Sequence, residues 1–277
     1  MKTWLITGCS SGIGAGIAKA VLKDGDQAIV TARSVEKVKH FEEAYPDTCL
    51  AVRLDVMDMA SVEEALKQAN EKFGTIDILV NNAGHGYRSS IEEGEVDAVN
   101  ELFQTNFFGP VELIKKVLPD MREKKAGAII NVTSIAGVRS AVGSGYYAAS
   151  KAALELASEG LAQEVEPLGI KVLIVEPGAF RTNFYKENNL KMASHKVDAY
   201  ADTAWTRDVK YVKDKTDQLG NPDKAGEVIV EMMKLDKLPR RYLMGSDAAK
   251  SIEKVLENRL AELREWKDYS KKTDFTE

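Results

Sequence analysis

Cysteine and histidine are scarce in this chain of 277 residues, which holds two cysteines, Cys9 and Cys49, and three histidines. Two cysteines make no disulfide framework, and no Cys/His cluster has the spacing of metal ligands, so a cytoplasmic, metal-free protein is expected. No apolar run approaches the ~20 residues that a bilayer-crossing helix needs. From Met1 the chain passes straight into the β-type run Thr3-Trp4-Leu5-Ile6-Thr7, without the charged and apolar regions of a signal peptide. Neither export nor membrane attachment is expected. No basic block stands out, and 38 Lys plus Arg against 43 Asp plus Glu give a net charge of -5. That balance argues against a nucleic-acid partner and for a small molecule. A content of 44% hydrophobic and 29% charged residues excludes disorder and collagen-like structure.

From Lys2 to Val175, short β-branched runs alternate with longer segments of helical period, the pattern of a parallel sheet covered on both faces. Strands are expected at Thr3 to Thr7, Ala28 to Thr31, Leu50 to Arg53, Ile76 to Val80, Gly127 to Val132 and Lys171 to Val175. Helices are expected near 13–24, 35–44, 59–73, 96–124 and 145–167. Right-handed crossovers then give a doubly wound, Rossmann-type α/β sheet in one domain over 1–277, with its ligand beyond the carboxyl ends of the strands. From 179 to 220 aromatics are scattered among charges, which reads as a substrate lid. The remainder, 221–277, reads as a helix at 222–235, a short strand at Arg241 to Met244 and a last helix at 248–268.

The first strand ends in Thr7-Gly8-Cys9-Ser10-Ser11-Gly12-Ile13-Gly14 and runs into a helix. Glycines let the backbone turn sharply and approach a pyrophosphate, whose charge meets free N–H groups at the helix start. Gly8, Ser10, Ser11, Gly12, Ile13 and Gly14 are therefore the expected phosphate cradle. Their spacing, G-x-x-x-G-x-G, differs from the common dinucleotide pattern G-x-G-x-x-G. Gly8-Cys9-Ser10-Ser11-Gly12 also matches the G-x-S-x-G of hydrolases. Against that reading, the first strand has none before it to supply a second oxyanion donor. At the end of strand two, an Asp or Glu would meet a free ribose 2′-OH. The chain instead reads Thr31-Ala32-Arg33-Ser34, and a cationic Arg33 welcomes a 2′-phosphate, favouring NADP(H) over NAD(H).

Asn81-Asn82-Ala83-Gly84 closes strand four, Ser134 follows strand five, and Tyr147-Ala148-Ala149-Ser150-Lys151 opens the next helix. Together with the glycine turn, these motifs make residues 3 to 182 resemble a classical short-chain dehydrogenase/reductase of the hydroxysteroid and retinol dehydrogenase type. Tyr147 and Lys151 lie four apart on one helical face, where a lysine cation can stabilise a tyrosinate and lower the phenol pKa. Tyr146 is the register alternative, five residues from Lys151. The resemblance implies that Ser134 hydrogen-bonds the substrate oxygen. It also implies that Asn106, polar inside an apolar helical segment, holds a water linking Lys151 to solvent. By the same likeness Asp55 accepts from the adenine amino group, Val56 lies beside the base, and Asn82, Ala83 and Gly84 border the cofactor. Pro177 and Gly178 would shape the nicotinamide wall, with Thr182 on the carboxamide. Glu176 departs from the small polar residue of many relatives, and its direction is open at this point. Asp77 reads as a structural anchor.

The implied activity is interconversion of a carbonyl and a secondary alcohol, with Asn106, Ser134, Tyr147 and Lys151 as the catalytic set. Phe180, Phe184, Tyr185, Tyr200 and Trp205, with Val138 and Val142, point to an apolar substrate, and Tyr211 is a further aromatic of the same segment. Arg139 and His85 would equally welcome an acidic group. A cofactor-binding sensor or scaffold, and a cofactor-retaining isomerase, are alternatives on the same fold. Family similarity implies a homodimer through the helices near 96–124 and 145–167, with a tetramer as the alternative.

Overall fold

Neighbouring apolar residues in the central strands point to opposite faces of one sheet: Leu5 and Ile6, Ile29 and Val30, Leu79 and Val80, Ile129 and Ile130 are all buried. A strand apolar on both faces needs a helical layer on each side. In the computed structural model, which describes residues 1–185, 189–206 and 218–275, both layers are present. The strands are β1 (Thr3–Ile6), β2 (Gln27–Ala32), β3 (Cys49–Arg53), β4 (Ile78–Asn81), β5 (Gly86–Arg88), β6 (Gly127–Val132), β7 (Ile170–Pro177), β8 (Leu190–Met192) and β9 (Arg241–Met244). Seven of them form a parallel sheet in the order β3-β2-β1-β4-β6-β7-β9. The order reverses between β1 and β4, which places the ligand crevice beyond their carboxyl ends.

The helices are α1 (Gly12–Lys23), α2 (Lys39–Ala44), α3 (Met59–Phe73), α4 (Val96–Phe103), α5 (Gly109–Lys124), α6 (Ile135–Val138), α7 (Gly145–Val165), α8 (Pro222–Met233) and α9 (Ser246–Ser270). On one face Ile6, Val30, Val80 and Ile130 pack with Ile17 and Val21 of α1 and Ile229 of α8. On the other, Leu5, Ile29, Leu79 and Ile129 pack with Val62 of α3, Leu113 and Val117 of α5, and Ala162 of α7. Asp77 anchors the sheet's amino edge by accepting from the backbone N–H of Thr3 at 3.0 Å.

Three elements differ from the sequence reading. The segment expected as one helix over 35–44 is a 3-10 turn, Val35–Lys37, followed by the short α2. The helix expected over 96–124 is interrupted by a π-helical turn, Gln104–Phe108, because fully buried Asn106 is drawn inward by partners outside the helix. In the segment after β7, β8 pairs with β5 in a separate two-stranded parallel sheet. The same segment is held by acids of the loop between β5 and α4. Glu93 accepts from the backbone N–H of Val197 and, at 3.0 Å, from Trp205 Nε1, while Glu92 accepts from the Tyr200 hydroxyl. Burial opposes ionisation of Glu93, yet the hydrogen bonds from Val197, Ser90 and Trp205 outweigh it and bring its pKa to about 2. Tyr211 lies outside the described residues. No described helix is long and apolar enough to cross a membrane.

Candidate active site

Between β1 and α1 the chain turns through Gly8 and Gly12, with φ of +74° and +65°, left-handed values that a Cβ disfavours. Thr7 Oγ1 accepts from the backbone N–H groups of Asn82 and Ala83 at 2.9 and 3.0 Å. Asn82 Nδ2 in turn donates to the carbonyls of Thr7 and Gly8 at 2.8 and 3.2 Å. The turns after β1 and β4 are thereby one rigid piece. Ser11 is the N-cap of α1 but makes no side-chain capping bond, which leaves the first N–H groups of the helix available to an anion.

Gly8, Ser10, Ser11, Gly12 and Ile13 line a cleft of about 570 Å³ that runs along the carboxyl ends of the strands. Arg33, Asp55, Val56, Asn82, Ala83, Gly84, Pro177, Gly178 and Thr182 line the same cleft. Arg33 is exposed at the end of β2, and Asp55 is oriented by accepting from the Met57 backbone N–H at 3.1 Å. Thr182 folds back over the glycine turn, close enough that a Cβ on Gly12 would come within 3.1 Å of its methyl group. Gly14 is not on the cleft wall. It sits beneath the turn against the Gly8 carbonyl and the Asn82 side chain, where no Cβ fits, so it acts through packing. This elongated cradle, with helix N–H groups at its middle and a cation at one end, fits a dinucleotide.

At the other end the cleft meets Ser134, Tyr147 and Lys151. Ser134 caps α6, accepting from the Ala136 backbone N–H at 3.0 Å, and its hydroxyl lies beside the Tyr147 phenol. Tyr146 points away, donating its hydroxyl to the Ile91 carbonyl at 2.8 Å, and it is Tyr147 that lines the cleft. Lys151 is buried and donates to the Val132 carbonyl at 3.0 Å. Gly84 presses close to it: a Cβ there would come within 3.0 Å of Asn106 Oδ1 and 3.3 Å of Lys151 Nζ. Asn106 does not reach the cleft wall. Its Oδ1 accepts from the His85 backbone N–H at 3.1 Å, and its Nδ2 donates to the His85 carbonyl and Ser150 Oγ, each at 3.0 Å. It therefore positions the wall behind Lys151.

The electrostatics depart from the expectation of a lowered phenol pKa. Desolvation in the cleft wall pushes Tyr147 above its ordinary value, with the Ser134 hydroxyl partly offsetting the rise and Tyr185 adding to it. Burial brings Lys151 down to about 8. A phenol so held keeps its proton, as a proton donor requires.

Of the residues expected to make the pocket apolar, Phe180, Phe184 and Tyr185 line the cleft. Trp205 and Tyr200 pack instead with Tyr87 and Leu102 in a separate core. Val138 and Val142 are absent from the wall, where Ile135, Ala136, Arg139 and Ala141 stand. Glu176 faces away from the cleft into a buried cluster. Its carboxyl lies beside Glu155 and 3.7 Å from Arg241 Nε, which donates to Glu155 at 3.1 Å. Burial, then the adjacent Glu155 charge, push Glu176 up to about 7 against the pull of Arg241.

Among the cleft residues that escaped the sequence reading are Asp247 and Ser251 of α9. Asp247 accepts from the Ala179 backbone N–H at 2.8 Å and so ties α9 to the loop after β7. Its position just past β9 was the available signal, since sites of this sheet type lie after strands. Among the described residues, no group of three or more His, Cys, Asp or Glu could hold a metal ion.

Residues 2–193 match the family model described as short chain dehydrogenase. The oxidoreductase BOA17 of Botryotinia fuckeliana is 33% identical over 270 residues, covering 97% of this chain and 98% of that protein. A crystal structure of a short-chain dehydrogenase from Streptomyces avermitilis superposes with a TM-score of 0.91 at 40% identity, over 99% of this chain and 98% of that one. An alcohol dehydrogenase from Thermococcus sibiricus, solved with 5-hydroxy-NADP, superposes at 0.72 with 26% identity, over 87% of this chain and 95% of that one. With the sheet order, the glycine turn and these likenesses in agreement, the chain belongs to the short-chain dehydrogenase family and is an oxidoreductase on a nicotinamide-binding Rossmann fold.

Proposed function

We propose that this protein is an NADP(H)-dependent oxidoreductase that interconverts a carbonyl and a secondary alcohol on a largely apolar molecule. The observation that carries the reading is the convergence of Ser134, Tyr147 and Lys151 at one end of the cleft whose other end holds the glycine turn and Arg33. Bound nicotinamide supplies the hydride. The Ser134 hydroxyl holds the substrate oxygen, and the Tyr147 phenol donates its proton to that oxygen. Lys151, fixed by the Val132 carbonyl, places a positive charge behind the phenol as negative charge develops. Asn106 keeps Gly84 and His85 in place around that lysine.

Arg33 supports the phosphorylated cofactor, because a guanidinium pairs with a phosphate through two charge-assisted hydrogen bonds. The Thermococcus relative was solved with an NADP analogue, in keeping with this assignment. Phe180, Phe184 and Tyr185 support an apolar substrate body.

The test is absorbance-monitored oxidation of NADPH and, separately, NADH with steroid, aromatic and small aliphatic ketones. NADPH-favoring turnover is expected, and Arg33→Ala is expected to weaken NADPH use while leaving NADH use nearly as it was. Tight NADPH binding with no ketone turned over would instead favour a sensor or an isomerase.

A further inference from the structure

The charged side chains lining the cleft fall into two groups. Most are already answered by a neighbour. Lys191 pairs with Glu101, Lys151 donates to the Val132 carbonyl, and Arg88 donates to the Ala204 carbonyl. Arg33 lies at the end of β2, on the cofactor side. His85 adds no positive charge: burial, only partly opposed by the Gly86 carbonyl 3.2 Å from its Nδ1, keeps the ring neutral.

Arg139 is the exception on the substrate side. It follows Ser134 by five residues, directly after α6, and its backbone N–H donates to the Ile135 carbonyl at 3.1 Å, so the short helix fixes its place on the wall. Its Nε is buried without a hydrogen-bond partner, and no described residue pairs with its guanidinium. A cation drawn partly out of water without a counter-ion is unfavourable unless a ligand supplies the charge. The lining residues nearest to it in the chain, Ile135, Ala136 and Ala141, carry no acceptor side chain, and neither Asp247 nor any other described carboxylate forms an ion pair with it.

We infer that Arg139 is an anion-binding subsite for the substrate, so that the molecule reduced at Tyr147 carries a carboxylate, or a similar anionic group, on an apolar body. This rests on the reading above that the carbonyl lies between Ser134 and Tyr147. An aromatic or aliphatic keto acid satisfies both ends: its carbonyl meets the Ser134 and Tyr147 hydroxyls, its body meets Phe184 and Tyr185, and its anion meets Arg139. Arg139 is thus a specificity residue that acts on binding, separate from the proton chemistry.

The experiment compares 4-acetylbenzoate with its methyl ester, which share the ketone and the ring and differ in charge. The readout is the acid-over-ester ratio of kcat/KM in the wild-type protein, in Arg139→Gln and in Arg139→Lys. The wild type is expected to favour the acid by about 10-fold to 100-fold, as a hydrogen-bonded ion pair allows, and to do so through KM. Arg139→Gln is expected to bring the ratio near one, and Arg139→Lys to keep part of it. An equal ratio in the wild type and Arg139→Gln would overturn the subsite while leaving the reductase intact. Should neither ketone be turned over, the reductase reading fails first, and calorimetric titration of 4-acetylbenzoate into each NADP⁺-loaded protein decides the subsite. Tighter binding to the wild type than to Arg139→Gln supports it, and equal or absent binding overturns it.

Discussion

The ring of Phe184 rests against the ring of Tyr147, with centroids 5.6 Å apart and planes tilted by 56°. Phe184 is followed by Tyr185 in an edge-on contact at 5.4 Å, so the segment after β7 sets an aromatic pair against the Tyr147 ring. Phe184→Ala is expected to lower kcat/KM for aromatic ketones by roughly threefold to tenfold, the scale of one lost aromatic contact. NADPH affinity, read by fluorescence titration, is expected to stay near the wild-type value. An unchanged kcat/KM would remove Phe184 from the substrate wall.

The opposed shifts of Tyr147 and Lys151 set a pH dependence for ketone reduction. Tyr147 is pushed up by desolvation and remains protonated across the neutral range, whereas burial lowers Lys151 to about 8. As pH rises through about 8 the ammonium loses its charge, and with it the electrostatic support behind the phenol. The plot of log kcat/KM against pH for NADPH-driven reduction is therefore expected to be level from pH 6 to 7.5 and to fall above about pH 8. A profile level through pH 9.5 would contradict this role for Lys151.

Glu176 gives a stability effect of definite sign. Its folded pKa, about 7, lies above the unfolded carboxylate value, so the folded state binds the proton more tightly. Stability from this group is complete below the unfolded pKa and is lost as pH rises through about 7. Glu176→Gln keeps a polar group of the same shape beside Glu155 and removes the titration. Its melting temperature is expected to match the wild type near pH 5 and to exceed it at pH 8 by a few degrees, ~1 kcal/mol being worth roughly 2–4 °C at this chain length. Scanning calorimetry at the two pH values checks it, and a variant that gains nothing at pH 8 contradicts the buried-carboxyl assignment.

The sheet was legible because its strands are continuous apolar runs with strong punctuation, and the glycine turn because its residues are contiguous. The short strands β5 and β8 were not: each has three residues, and their pairing joins Gly86 to Leu190 across the chain with no local pattern to announce it. Asn106 stood out as a polar residue in an apolar stretch, yet the π turn it causes depends on His85 and Ser150, which periodicity does not see. The direction of Glu176 was set by Glu155 and Arg241, contributed by α7 and β9, and only the assembled sheet brings them together. The aromatic lid divided for the same reason: Phe184 meets Tyr147, while Trp205 is claimed by Glu93.

The most direct test of the central claim is single-turnover reduction of an aromatic ketone by NADPH in the wild-type protein and in Tyr147→Phe, with NADPH affinity measured on the same samples. Loss of the phenolic proton donor is expected to slow reduction by roughly 10²–10⁴-fold while the cofactor still binds, because the glycine turn and Arg33 stand apart from that hydroxyl. Reduction at the wild-type rate by Tyr147→Phe would contradict the account.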